Sequence, residues 1–123
     1  MSPRTVARTL AVGRIAIGAA LLVAPRAFGR RWVGDAAERE ETAVFARALG
    51  VRDLVMGLVA LHTVDHREAG PRWQRTLAAC DLVDLGATVA ARGSLPRSAV
   101  AGTAVIAGGA VAGELWAAGR LQP

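Results

Sequence analysis

The sequence predicts an all-α fold, a four-helix transmembrane bundle of antiparallel up-and-down topology, and three observations predict it. Four apolar segments of 19 to 21 residues follow one another along the chain, close to the ~20 that cross a ~30 Å hydrocarbon layer at about 1.5 Å rise per residue. Pro25, Pro71 and Pro96 fall at the edges of those segments and none falls inside an apolar run, which is where a residue lacking an amide proton is tolerated. The apolar content is 53% of the chain with only 4% aromatic, so it consists of Ala, Val, Leu and Gly, a mix that lets helix backbones approach closely in lipid.

At 123 residues the chain is one domain, residues 1–123, because domains usually run to about 100–150 residues. The first helix is expected over Thr5–Ala24 and stops at Pro25. The second is expected over Thr42–His62. The third follows "GPRW" and runs over Trp73–Ala91, and the fourth follows "RGSLPRS" and runs over Ser98–Ala118. Residues 26–41, "RAFGRRWVGDAAEREE", form the longest and most charged connection, which places it in water or among headgroups.

A soluble four-helix bundle is the competing fold, and it requires a polar face on each helix. Ser98 to Gly113 carries no charge anywhere around its circumference, and Ile15 to Ala24 is apolar all round. Four helices of this size cannot bury two of their own members completely, so the lipid reading is preferred. Trp32, Trp73 and Trp116 each lie near a helix end, the depth an amphipathic ring prefers. Orientation is undecided, because the Arg residues flanking the spans divide evenly between the two sides. A cleavable signal peptide is disfavoured: "VAPRA" puts Pro and Arg where a cleavage site needs small residues.

Five ionisable groups then fall at one depth: Arg14 in the first helix, Arg52 and Asp53 in the second, Asp81 and Asp84 in the third. A central Arg or Asp costs about 2.5–3.5 kcal/mol on the insertion scale, so five cost roughly 12–18 kcal/mol, against about 0.3–0.6 returned by each Leu or Val. The charges must therefore face one another. Asp53 shares its face with Ala46, Gly50, Gly57 and Ala60, a groove of small residues that a partner helix can enter. Asp81, Asp84 and Thr88 share a face of the third helix. Two Arg against three Asp leaves one negative charge, which Arg47 on the second helix is expected to balance; Arg14, Arg47, Arg52, Asp53, Asp81 and Asp84 are thus the candidate binding residues. One of the three Asp is expected to carry a proton instead of a charge. Glu114, on a stripe with Thr103, Ala107 and Ala110, adds a carboxylate nearer the far end of the fourth helix.

Other chemistries find little purchase. The net charge of +5 is spread as single Arg residues without a basic stripe or interleaved aromatics, which argues against a nucleic-acid partner. Cys80 is the only cysteine, so an intrachain disulfide and a CxxC site are excluded. "HTVDH" puts His62 and His66 one turn apart, but no distant third ligand completes a metal site. No metal and no cofactor are expected. "GAVAG", Gly109 to Gly113, is a GxxxG contact that suits an intrachain seam or a homodimer. "DLVDLGATVAAR" resembles the metal-binding half of the membrane phosphatidyl-alcohol transferases, although its Gly comes one residue late and no second Gly and Asp pair follows.

The combination of "GRIAIGAALLVAP", "RALGVRDLVMGL" and "CDLVDLGATVAARG" resembles a family of small integral-membrane proteins classed as a domain of unknown function. The resemblance covers nearly the whole chain, and "GVRDLVMGL" is its most specific part. It implies a four-helix membrane bundle in the cell membrane and gives weight to Arg52, Asp53, Gly57 and one of Asp81 or Asp84. It brings no substrate. The leading expectation is an accessory or interaction protein of the lipid bilayer, as a homodimer or within a larger complex, with a structural Arg/Asp network. The alternatives are a proton- or cation-coupled carrier and a membrane enzyme on an apolar substrate, both using the Asp cluster. A dry, fully paired cluster would favour the first, and a cavity reaching the carboxylates would favour the others.

Overall fold

The computed structural model describes residues 1–121, and among them the chain forms five α-helices and no strand. Four are long: α1 (Pro3–Val23), α3 (Glu40–Thr63), α4 (Ala69–Ala90) and α5 (Arg97–Arg120); α2 (Pro25–Val33) is short. The 3-10 turns Gly34–Glu38 and Arg92–Ser94 complete the connections before α3 and α5. Local chemistry sets several of these boundaries. Ser2 caps α1 by accepting the Thr5 amide at 3.1 Å, with Pro3 in the first turn, where its missing N–H costs nothing. Pro25 both ends α1 and opens α2.

The 26–41 connection is therefore largely helical, made of α2 and the 3-10 turn that follows it. Arg26, Arg30 and Arg31 lie on a helix with Phe28 and Trp32, and Arg31 stands over the Phe28 ring at 5.3 Å. The chain then turns at Gly34, the single described residue with positive φ, at 66°, a conformation that only glycine adopts without strain. A charge count alone could not separate this short amphipathic helix from a solvated loop. α4 also begins earlier than expected, because Pro71 sits in its first turn.

The long helices alternate in direction. Ala7 near the start of α1 meets Val64 just beyond α3 and Ala117 and Leu121 at the end of α5, while Trp32 of α2 meets Thr88 near the end of α4. Around the assembly the order is α1, α3, α4, α5, with α1 against both α3 and α5 and α4 against α5. The closest approach is α1 on α3. A Cβ added to Gly18 would lie 2.5 Å from the Gly50 carbonyl oxygen and 2.5 Å from the Leu54 nitrogen; one added to Gly50 would lie 2.7 Å from the Gly18 carbonyl oxygen. Gly57 meets the Ala11 carbonyl in the same way, at 2.8 Å. The groove of small residues expected beside Asp53 is the seat of α1.

The resulting interior is unusual for its size. Buried positions on α1 are Ala7, Ala11, Arg14, Gly18 and Leu21, and on α3 Ala43, Gly50, Asp53, Gly57 and Ala60. Apart from Leu21 and Leu77, which are buried, large apolar side chains on every long helix reach the surface: Val12 and Ile17 on α1, Phe45, Val51 and Val55 on α3, Leu82 and Val83 on α4, Val105 and Ile106 on α5 are all exposed. Two helices, α1 and α5, are long and apolar enough to cross a membrane. α3 and α4 do not pass the same measure, since they carry Arg47, Arg52 and Asp53, and Arg72, Arg75, Asp81 and Asp84, respectively.

Gly50→Val is expected to lower the thermal unfolding midpoint by the equivalent of about 3 kcal/mol, because a side chain cannot displace the opposing backbone. Gly86→Ala, where an added Cβ meets nothing, is expected to leave the midpoint unchanged or raise it. Thermal scans of the two variants beside the parent check both.

Candidate functional site

Arg14 on α1 is the centre of the polar interior. It is 8% exposed, and its guanidinium donates to one carboxylate on each of the other three long helices. One Nη donates to Asp53 on α3 at 3.4 Å; the other donates to Asp81 on α4 at 2.6 Å and to Glu114 on α5 at 3.0 Å. A planar fork with fixed N–H directions can serve three acceptors in this way, and an ammonium could not hold them in one plane.

A second guanidinium extends the network. Arg52 donates through Nε and one Nη to Asp53 Oδ1, at 3.2 and 3.1 Å, and makes a paired contact with Asp84 at 3.3 and 2.6 Å. Asp53 Oδ1 therefore accepts from both arginines and joins the two halves. The Arg52–Asp84 pair bridges α3 to α4, whose backbones otherwise have little mutual contact. Thr88, one turn beyond Asp84, accepts from the Trp32 indole at 3.0 Å and donates to the Asp84 carbonyl at 2.7 Å, which ties α2 to the same end of the cluster.

Five of the six residues expected at the site are thus brought together: Arg14, Arg52, Asp53, Asp81 and Asp84. Arg47 is not among them. It lies five residues before Arg52, about 140° around the helix, and so emerges on the exposed side of α3 with no ion-pair partner among the described residues. Glu114 has the deeper role instead: it is 0% exposed. Its position near the far end of α5 misled, because Cα–Cβ bonds lean toward each helix's N-terminus. On antiparallel helices the long Arg14 side chain and Glu114 lean toward each other and meet. The available signal was that Glu114 is the sole charge in α5 between its terminal Arg97 and Arg120, on a stripe with Ala107 and Ala110.

This changes the charge balance. Arg14 and Arg52 face Asp53, Asp81, Asp84 and Glu114, two cations against four carboxylates, a formal excess of two negative charges. Pairing is also incomplete. Glu114 Oε2 and Gln74 Oε1 are buried without a hydrogen-bond partner among the described residues, and such an atom costs about 1–3 kcal/mol.

A cleft of about 840 Å³ reaches this network from between α1 and α5. The two helices touch at Leu10 and Gly113 and diverge toward α2. Leu10, Ile17, Leu21, Ile106, Ala107 and Ala110 supply apolar wall, Phe28 and Trp32 of α2 line the wide end, and Arg14, Asp53, Asp81, Asp84 and Glu114 line the depth. Ile17 and Ile106 are both exposed, so the cleft opens between them.

The histidines stand apart from this site. His62 Nδ1 contacts the Leu58 carbonyl at 2.9 Å, and Asp65 between the two histidines is taken by Arg4 and Arg8, at 3.2 and 2.7 Å. Among the described residues no group of three His, Cys, Asp or Glu side chains is placed to hold a metal ion. Comparison with protein-family models, with curated proteins and with solved structures gives no match.

Removing Arg14 would leave four carboxylates facing a single remaining guanidinium, that of Arg52. Arg14→Ala is expected to cost about 3–5 kcal/mol, the range for breaking one side of a buried pair. Asp65→Asn, at an exposed pair, is expected to cost under about 1 kcal/mol. Denaturant titration of both variants measures the contrast, and equal losses would contradict a buried network.

Proposed function

We propose that the chain is a small integral-membrane protein of four antiparallel spans that binds an apolar small molecule in the cleft between α1 and α5. The network of Arg14, Arg52, Asp53, Asp81, Asp84 and Glu114 is both the bundle's internal tie and the polar end of that site. The single observation carrying the reading is the cleft itself. A polar core closed on all sides would favour a purely structural network, whereas this one opens along an apolar channel onto the carboxylates. A carrier or a membrane enzyme on an apolar substrate both use such a site.

Location in the cell membrane is supported by side-chain distribution. Every long helix turns several large apolar residues outward, and small and polar residues make up most of the buried positions. In water that arrangement would expose far more contiguous apolar surface than soluble monomers carry; in lipid it is the expected one. Trp32 lies at one end of the assembly, and Trp73 and Trp116 at the other, with Arg120 over the Trp116 ring at 4.8 Å, as interface residues would be. Membership of the small membrane-protein family suggested by "GVRDLVMGL" belongs to the same proposal. Its bounding partner is the lipid bilayer.

Assembly into a homodimer or larger complex is a second reading, and the state of "GAVAG" favours it. Gly113 is used inside the chain against Leu10, at 3.0 Å from an added Cβ, while an added Cβ at Gly109 meets nothing, which leaves that small-residue surface of α5 open.

Alkaline extraction of membranes is expected to leave the protein in the pellet, and the purified chain is expected to need detergent to stay monodisperse. A monodisperse monomer in plain buffer would overturn the membrane reading. Ala110→Leu, which narrows the cleft without changing charge, is expected to abolish retention of small apolar molecules seen by native mass spectrometry of the parent. For the network, Asp84→Asn is expected to leave folded protein with altered ligand retention; loss of folded protein alone would return the cluster to a structural role.

A further inference from the structure

The ligand's charge can be read from the depth of the cleft. We infer that the site takes a lipophilic organic ammonium, with Glu114 Oε2 as the acceptor for its N–H and the wall between α1 and α5 as the seat for its apolar body. The inference rests on the ligand-cleft reading above and names the class of ligand for the same site.

Three observations carry it. The first is sign: two guanidiniums face four carboxylates, so the ligand that best completes the set is cationic. The second is an acceptor without a donor. Glu114 is completely buried, lines the cleft, and presents Oε2 with no hydrogen-bond partner among the described residues, while its Oε1 is engaged by Arg14. The third is what the carboxylates do not form. Among the described residues no group of three is placed to hold a metal ion. A bare cation needs several oxygens at one point; a protonated amine needs one carboxylate and an apolar seat. Trp32, which lines the wide end, adds an aromatic ring of the kind that attracts an ammonium during entry.

The surrounding charges are compatible with this. Arg14 faces Glu114 from α1, and its two Nη atoms are already occupied by Asp53, Asp81 and Glu114 Oε1. From α4, Asp81 and Asp84 add negative charge, and from α3 Asp53 does the same while Arg52 is spent on Asp53 and Asp84. Arg31 of α2 stands at the mouth, held over Phe28 at 5.3 Å. The cation thus approaches past one exposed arginine into a region where four carboxylates face two guanidiniums.

The test compares three probes of one shape on the full chain in detergent micelles: 1-naphthylmethylamine, 1-naphthalenemethanol and 1-naphthoate. Equilibrium dialysis against protein-free micelles gives each affinity. The amine is expected to bind about ten- to a hundredfold more tightly than the alcohol, the increment of a hydrogen bond to a charged group, and the carboxylate not at all. Glu114→Gln is expected to reduce the amine to within about twofold of the alcohol and to leave the alcohol unchanged. Ala110→Leu is expected to weaken amine and alcohol together, which places both probes in the cleft even if the Glu114 variant does not fold. Equal binding of amine and alcohol by the parent protein would overturn the ammonium assignment and leave the ligand cleft standing. Binding of neither probe would overturn both.

Discussion

One guanidinium holds four helices. Arg14 is rooted on α1 and donates to Asp53, Asp81 and Glu114, which belong to α3, α4 and α5, so each long helix is fastened through the same few ångströms of space. The constraint behind this is desolvation. A charge taken from water must recover its solvation from fixed partners, and an arginine at mid-helix can do so only if acids from elsewhere in the chain arrive at its depth. Helix order, direction and register all have to be right at once for that to happen. The interaction therefore selects one assembly among the several that Ala- and Gly-rich helices could form by close packing alone.

The small residues are the counterpart of the charges. Gly18 and Gly50 allow the α1 and α3 backbones to touch, and that proximity brings Asp53 within reach of Arg14. Bulkier residues there would move α3 outward and leave both ions unpaired. Along the opposite edge the same economy is absent. α1 and α5 meet at Leu10 and Gly113 but part toward α2, and the separation leaves a cleft whose depth is charged and whose walls are apolar. Tight seam and open cleft are two sides of one helical assembly, with α2 lining the open end.

Much of this was legible along the chain. The four long helices follow from the apolar-rich segments between prolines, and the face shared by Gly50, Asp53 and Gly57 follows from helical spacing. The need for Arg14, Arg52, Asp53, Asp81 and Asp84 to pair follows from the cost of leaving any of them unpaired. Two residues were misjudged for a shared reason. Arg47 was assigned by its distance along α3 when its angle about the axis turns it outward, and Glu114 was assigned by its height in α5 when the lean of two antiparallel side chains brings it to Arg14. α2 was missed because nine residues with three arginines read alike as amphipathic helix and as solvated loop until Phe28 and Trp32 have something to pack against.

By itself, then, the sequence determined the four long helices, the small-residue seams and the obligation of mid-helix charges to neutralise one another, because each depends on local periodicity or on a transfer cost that attaches to a residue type. Tertiary structure alone decided which acids meet which arginine, that four carboxylates gather around two cations, and that the α1–α5 edge stays open. Those outcomes depend on relative rotation and height of helices distant in the chain, quantities that no single segment encodes.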